Sequence, residues 1–119
     1  MSKPRFLFDD CTDPAIIAGL RRLEPGIDII RVGDPGAPAR GTQDPDLLLA
    51  VESLGRALVT NDRSTMPVHL IAHFLAGHHT GGAILMRRGF SVGRYVQTIL
   101  HEWTTTTADH WIDRTIYLP

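Results

Sequence analysis

Short apolar runs alternate with segments of helical periodicity along this 119-residue chain, and this alternation constrains the fold more than any other feature. The runs at 6–8, 57–59 and 83–86 are apolar throughout, and 27–32 is rich in β-branched residues, which favours buried strands. Between them, apolar residues recur as they do on one face of a helix. Strands that alternate with helices predict an α/β fold with a mostly parallel sheet. The length predicts one domain, over residues 1–119.

Capping and breaking residues mark where the helices begin and end. A helix after the first strand begins at Pro14, capped by Thr12 or Asp13. Residues 33–43 are dense in Gly and Pro and predict a long loop. The threonine run 104–107 predicts another loop, and 115–118 a last strand at a sheet edge. The remaining helix boundaries are Asp44 and Gly55 for the second helix, Pro67 for the third and Ser91 for the fourth.

Composition excludes several classes of function. The net charge is −1, so a polyanion would have to meet a local basic patch. Lys3 is the only lysine, which removes Schiff-base and P-loop chemistry from interior positions and leaves arginine for phosphate contacts. Cys11 is the only cysteine and fits a reducing compartment. No apolar run approaches the roughly 20 residues of a membrane span, and no signal-peptide layout opens the chain, so we expect a cytoplasmic protein that binds no membrane.

Carboxylates stand where the predicted strands end. Asp9 and Asp10 end the first strand, and Asp62 ends the third. Asp44 and Asp46 begin the helix that leads into the third strand. Because sites in open α/β sheets gather at the carboxyl ends of strands, we expect the three segments at one edge. Clustered carboxylates share protons, pair with arginine, or hold a hard divalent cation that activates water beside a phosphate. The structural alternative for Asp44, which precedes Pro45, is that it only caps the second helix.

Several stretches around these carboxylates match a known family. The first strand ends in Asp9-Asp10-Cys11, where the family has Asp-Glu-Asn. Asp44 opens "DPDLLLAVESLGRALVTND", which runs into Thr60-Asn61-Asp62, where the family has Thr-Asn/His-Asp. The stretch "STMPVHLIAHFLAG" and the closing "IYLP" are similar to one bacterial branch. Over nearly its whole length, the chain therefore resembles the small PIN-like proteins of the DUF5615 (Mut7-C-like) group.

The resemblance implies a three-layer α/β/α sandwich and a ribonuclease that uses Mg²⁺ or Mn²⁺ to cut single-stranded RNA. Asp9, Asp44 and Asp62 are then the catalytic and metal-binding residues, and Asp10 and Asp46 are neighbours that bind the metal or its waters. Many PIN domains are toxins of toxin–antitoxin pairs, so an antitoxin protein is an expected partner.

The chain departs from the family pattern at two positions. Cys11 replaces the usual Asn, and Ser64 stands where many members carry a further Asp. A serine hydroxyl can hold a metal-bound water but brings no charge, which predicts weaker metal binding or a single ion. The alternative function is therefore a weak or inactive PIN-like module that binds RNA or a protein partner.

Arginine residues near the predicted site are candidate RNA contacts. Arg63 follows Asp62 and either contacts a substrate phosphate or pairs with a carboxylate, and Arg40 lies in the long loop. Asn61, between Thr60 and Asp62, is a supporting residue together with Ser64. Arg87-Arg88, after the fourth strand, is interpreted as a surface pair that could also flank the site.

Other features allow weaker hypotheses. Four histidines, at positions 69, 73, 78 and 79, make a zinc site conceivable, although the metalloprotease motif is missing. Cys11 is better interpreted as a neutral thiol than as a nucleophile. Trp103 and Trp111 are expected to close a core or an oligomer interface, which allows a homodimer, rather than to stack bases. A phosphoacceptor receiver domain also begins with an acidic pair after its first strand. That family requires a lysine late in the chain, and this chain has no lysine after Lys3, which disfavours it.

Overall fold

The computed structural model describes residues 2–119 and confirms the predicted α/β fold. The strands, all parallel, are β1 (Phe6–Phe8), β2 (Ile29–Arg31), β3 (Ala57–Thr60), β4 (Ala83–Met86) and β5 (Thr115–Leu118). The helices are α1 (Pro14–Leu23), α2 (Asp44–Leu54), α3 (Met66–Leu75), α4 (Val92–Thr105) and α5 (Ala108–Trp111). They cover both faces of one sheet, in the order β2-β1-β3-β4-β5, and form a three-layer α/β/α sandwich.

Alternate residues of each strand supply the two cores of the sandwich. In β1, Phe6 and Phe8 face the layer of α1, α4 and α5, whereas Leu7 faces the layer of α2 and α3. All three side chains are fully buried, which explains why β1 is a continuous apolar run. Burial on both faces fixes the register of β1 between β2 and β3.

The order of the strands creates a crevice above β1 and β3. The chain leaves β1 toward one edge of the sheet to form β2, and then returns past β1 to form β3. The connections that follow β1 and β3 therefore diverge, which is the topological switch point where open α/β sheets bind ligands. Asp9 follows β1 and Asp62 lies two residues after β3, so both stand at this crevice.

The last crossover has the opposite hand from the other three. The connections β3-α3-β4 and β4-α4-β5 move in the same direction across the sheet, yet α3 packs beside α2 and α4 packs beside α1. Parallel crossovers are right-handed in nearly all proteins, and the first three crossovers here share one hand. The crossover through α4 is therefore left-handed. This arrangement separates the chain from receiver domains, which share the strand order 2-1-3-4-5 but follow the usual handedness.

The prediction of a loop at 104–107 was wrong for its first half, because α4 continues through Thr105. The hydroxyls of Thr104 and Thr105 donate to the carbonyls four residues earlier, which lets threonine extend the helix instead of ending it. Other boundaries agree within two residues. Asp13 caps α1 through the amide of Ala15, and Gly55 ends α2 at a φ of 63°.

Candidate functional site

Asp9 is held at the end of β1 by two hydrogen bonds. Its Oδ1 accepts from the amide of Asp10 at 2.8 Å, and its Oδ2 accepts from the hydroxyl of Thr60 at 2.9 Å. Partial burial raises the pKa of Asp9 above its ordinary value; the Thr60 hydroxyl opposes this rise, and the carboxyl of Asp10 adds to it. The Thr60 hydroxyl therefore favours the charged form of Asp9, against the effect of burial on its pKa.

Thr60 joins the ends of β1 and β3. Its side chain is fully buried, and its hydroxyl accepts from the amide of Asp62 at 3.1 Å while it donates to Asp9. One hydroxyl thus fixes the distance between two of the predicted catalytic segments. The residue belongs to the Thr60-Asn61-Asp62 motif, but no spacing in the sequence indicates that its side chain bonds to Asp9 and to the amide of Asp62.

Asp62 accepts hydrogen bonds from the turn that leads into α3. Its Oδ1 accepts from the amides of Ser64 at 3.2 Å and Thr65 at 2.9 Å, and its Oδ2 accepts from the hydroxyl of Thr65. Partial burial opposes ionisation, yet these bonds together lower the pKa of Asp62 to about 2. The hydroxyl of Ser64 also lies 3.3 Å from Oδ1. Asp62 is therefore ionised at neutral pH, and Ser64 supports its charge.

Asp44 lies beside Asp62 at the start of α2. The hydroxyl of Thr65 is 3.4 Å from Oδ2 of Asp44, and Nε2 of His69 is 3.8 Å from the same oxygen. Burial and then the charge of Asp62 raise the pKa of Asp44, against the attraction of His69. The pKa values of the two neighbouring carboxyls, Asp44 and Asp62, are thus shifted in opposite directions. Such opposite shifts are found in sites where one carboxyl acts as an acid and the other as a base.

The donor set fits a hard cation that keeps most of its water. Among residues 2–119, no three His, Cys, Asp or Glu side chains are grouped closely enough to hold a metal ion. Asp44 and Asp62 nevertheless meet across Thr65, whereas Thr60 joins the carboxyl of Asp9 to the backbone amide of Asp62 and not to its side chain. Mg²⁺ is commonly held by one or two carboxylates together with waters and substrate phosphates. The oxygen ligands suit Mg²⁺ or Mn²⁺ in that mode, although the structure has no closed three-carboxylate cage.

The loop after β1 is held by an arginine that the sequence did not single out. Nη2 of Arg31 donates to the carbonyls of Asp10 at 2.8 Å and Thr12 at 2.9 Å. On the other side, the side-chain amide of Asn61 donates to the carbonyl of Cys11 at 3.0 Å. Asp10 and Asn61 therefore support the loop geometry around Asp9.

Two predicted site residues lie apart from the carboxylates. Asp46 is exposed and two residues after Asp44, and helix residues at that spacing do not share a face. Arg40 is exposed in the loop after β2, where its aliphatic stem packs over Gly33. Neither residue lines the cleft beside Asp62.

Arg63 lines that cleft, but its guanidinium bonds mainly to the backbone. Nη1 donates to the carbonyl of Asn61 at 3.0 Å and to that of Met86 at 2.6 Å. The predicted restraint of the loop is therefore present, with carbonyls in place of a carboxylate. The cleft has a volume of about 430 Å³ and is lined by Cys11, Asn61, Asp62, Arg63, Ser64 and Arg88.

The four histidines have three different carboxylate partners. His69 faces Asp44, whereas His73 and His78 lie 3.6 Å and 3.0 Å from Glu52 Oε1. His79 pairs with Asp113 at 2.6 Å. Within residues 2–119, these side chains form no metal-binding group of three, so the zinc hypothesis has no structural support.

The remaining candidates have structural contacts. Partial burial raises the pKa of Cys11, which fits a neutral thiol. Trp111 is buried in the core and donates to the hydroxyl of Thr106, and Trp103 packs against the same core. Nζ of Lys3 lies 5.2 Å from the centroid of the Trp103 ring. Because Lys3 precedes β1, this contact is at the end of the sheet where the strands begin, away from the carboxylates.

Comparisons with family models, with curated proteins and with solved structures find no match to this chain. Among residues 2–119, no helix is both long enough and apolar enough to cross a membrane.

Proposed function

We propose that the protein is a Mg²⁺- or Mn²⁺-dependent ribonuclease of PIN-like type that hydrolyses phosphodiesters of single-stranded RNA. The observation that carries the proposal is the convergence of Asp9, Asp44 and Asp62, from distant parts of the sequence, at the topological switch point. The resemblance to DUF5615 proteins supports the same residues. A toxin role with an antitoxin partner, and assembly as a homodimer, are further predictions of this proposal.

Each carboxylate has a distinct part in the proposed reaction. Asp44 and Asp62 would hold the cation, which supplies an activated water and neutralises charge on the phosphate. Asp62 brings a permanent negative charge, because its hydrogen bonds keep it ionised. Asp9, whose pKa partial burial raises, is the group suited to accept and hold a proton. Ser64 and Thr65 keep Asp62 oriented.

The experiment is cleavage of a labelled single-stranded RNA in Mn²⁺, Mg²⁺ or EDTA. We expect cleavage by the wild type only with a divalent ion, and loss of at least a hundredfold in Asp9→Asn and Asp62→Asn. Asp109→Asn is the matched control, because Asp109 is exposed in α5 and away from the site. Circular dichroism checks that Asp62→Asn is folded, since Asp62 also orders the turn before α3. Cleavage that survives both substitutions contradicts the proposal.

A second candidate function is a PIN-like module that binds RNA without cutting it. The observation that favours it is Ser64, which contacts Asp62 and stands where many proteins of the resembled family carry a further Asp. This function predicts RNA binding of equal strength in EDTA and in Mn²⁺, with the RNA left intact in both.

A further inference from the structure

A groove continues from the acidic site along the same sheet edge. The cleft of about 430 Å³ beside Asp62 adjoins a second of about 320 Å³, and the two share Asn61, Arg63 and Arg88. The groove is lined by residues that follow β3 and β4, and Asp62 is the proposed catalytic residue that lines it. The second cleft is lined by Asp13, Ile16, Asn61, Arg63, Arg87, Arg88, Gly89 and Tyr95.

The guanidinium groups of this groove differ in what they bind. Arg63 donates to two backbone carbonyls, and Arg87 donates to the carbonyl of Pro119 at 2.9 Å and lies over the ring of Tyr117. Arg88 lines both clefts and is exposed. Within residues 2–119 it has no hydrogen-bond partner and no carboxylate within ion-pair distance, although Asp13 and Asp62 line the same clefts. Arg88 is therefore a positive charge available to a ligand.

An exposed aromatic residue follows Arg88 by two positions, next to Tyr95, which lines the second cleft. Phe90 is 42% exposed, and its ring contacts that of Tyr95 edge-on, with centroids 6.1 Å apart. The hydroxyl of Tyr95 donates to the carbonyl of Arg87, which fixes the loop between β4 and α4. Gly89 has a φ of 89°, so the backbone turns sharply between Arg88 and Phe90. The loop thus carries an arginine directly before Gly89 and an exposed aromatic residue directly after it.

Arg88 and Phe90 offer the two kinds of contact by which proteins bind single-stranded nucleic acid. Backbone phosphates bind arginine, and unpaired bases stack on aromatic rings without regard to sequence. A duplex keeps its bases stacked inside and offers only phosphates. The chain has no global basic field, since its net charge is −1, so binding must be local.

We propose that residues 87–90 form a binding surface for single-stranded RNA, in which Arg88 binds a backbone phosphate and Phe90 stacks a base. The identity of the ligand rests on the proposed function, because the groove opens onto Asp62. The surface itself rests on Arg88, Phe90 and the two clefts.

The test is fluorescence anisotropy with a labelled ten-nucleotide oligouridylate in EDTA, at several salt concentrations. We expect Arg88→Gln to weaken binding at least fivefold and to reduce the salt slope by about one. Phe90→Leu should weaken binding about tenfold and leave the salt slope unchanged. Arg22→Gln removes the same charge from the last turn of α1, at the end of the sheet where the strands begin. This variant should bind as the wild type does. A self-complementary RNA duplex should bind at least tenfold more weakly than the single strand.

Wild-type affinity in both Arg88→Gln and Phe90→Leu overturns the proposal, as does an equal loss in Arg22→Gln. Because EDTA prevents metal-dependent cleavage, this result is separate from the fate of the proposed function. Binding with the predicted losses but no cleavage in Mn²⁺ contradicts only the ribonuclease. Cleavage that is indifferent to Arg88 and Phe90 contradicts only the binding surface.

Discussion

Replacement of Thr60 by valine separates the hydrogen bonds of its hydroxyl from its packing. Valine keeps the shape of the side chain but cannot donate to Asp9, accept from the amide of Asp62 or bond to the thiol of Cys11, whose Sγ lies 3.7 Å from the hydroxyl. Hydrogen bonds to charged groups contribute about 1.5–3 kcal/mol, and a buried amide without a partner costs about 1–3 kcal/mol. Asp9 is only partly buried, so we expect Thr60→Val to lower the free energy of unfolding by about 3 kcal/mol at pH 7.

The cost of Thr60→Val should depend on pH. The pKa of Asp9 is already raised in the folded state by burial, and loss of the Thr60 hydroxyl raises it further. A folded-state pKa above the unfolded value destabilises the protein at higher pH, and this effect disappears below the unfolded pKa, where Asp9 is protonated in both states. The difference between wild type and Thr60→Val should therefore shrink from pH 7 to about pH 3.5.

The assay is urea unfolding at both pH values, with Thr60→Ser as the matched control. Serine keeps the hydroxyl and loses one methyl group, so it should cost about 1 kcal/mol at either pH. Equal losses in Thr60→Val and Thr60→Ser, or a loss in Thr60→Val that does not change with pH, would refute the role assigned to this hydroxyl.

Three further predictions follow from single contacts. Ser64→Asp adds a carboxylate beside Asp62 and should tighten Mn²⁺ binding about tenfold, as measured by calorimetry; unchanged affinity contradicts a metal at Asp62. Asp113→Asn should lower the Tm most near pH 5.5, because the amide of Thr80 and then His79 lower the pKa of Asp113, while Asp113 raises the pKa of His79. The stabilisation is lost as pH falls through the pKa of Asp113 and as pH rises through the pKa of His79. A loss of Tm that is uniform from pH 4 to 9 contradicts this pairing. Arg31→Met should reduce activity more than Arg22→Met, because Arg31 orders the loop of Asp9 and Asp10; equal activities contradict this.

The strands and most helices could be predicted because burial on both faces leaves a plain pattern. The apolar runs of β1, β3 and β4 appear at the expected positions, and Asp13, Gly55 and Ser91 end or begin helices as predicted. The continuation of α4 through Thr105 could not be predicted, because threonine hydroxyls either leave a helix or bond within it, and sequence does not distinguish the two. The left-handed crossover also has no local sequence signal, since it depends on which face α4 packs against.

For the site, the sequence predicted that Asp9, Asp44 and Asp62 would lie at one end of the sheet, but not which of their side chains are in contact. Asp9, Asp44 and Asp62 reach one edge as expected, because parallel strands end on the same side. The links through Thr60 and Thr65, and the approach of His69 to Asp44, depend on side-chain directions that no spacing rule gives. Arg63 was predicted to meet phosphate or a carboxylate, but backbone carbonyls accept its bonds, and this leaves Arg88 as the cation that faces the groove.

Calorimetric titration of Mn²⁺ into the wild type and into Asp9→Asn, Asp44→Asn and Asp62→Asn measures whether these carboxylates hold a metal ion. We expect one ion bound in the wild type, at least tenfold weaker binding in Asp44→Asn and Asp62→Asn, a smaller loss in Asp9→Asn, and wild-type affinity in the control Asp109→Asn. No heat at millimolar Mn²⁺ in the wild type, or equal affinity in all the variants, would contradict it.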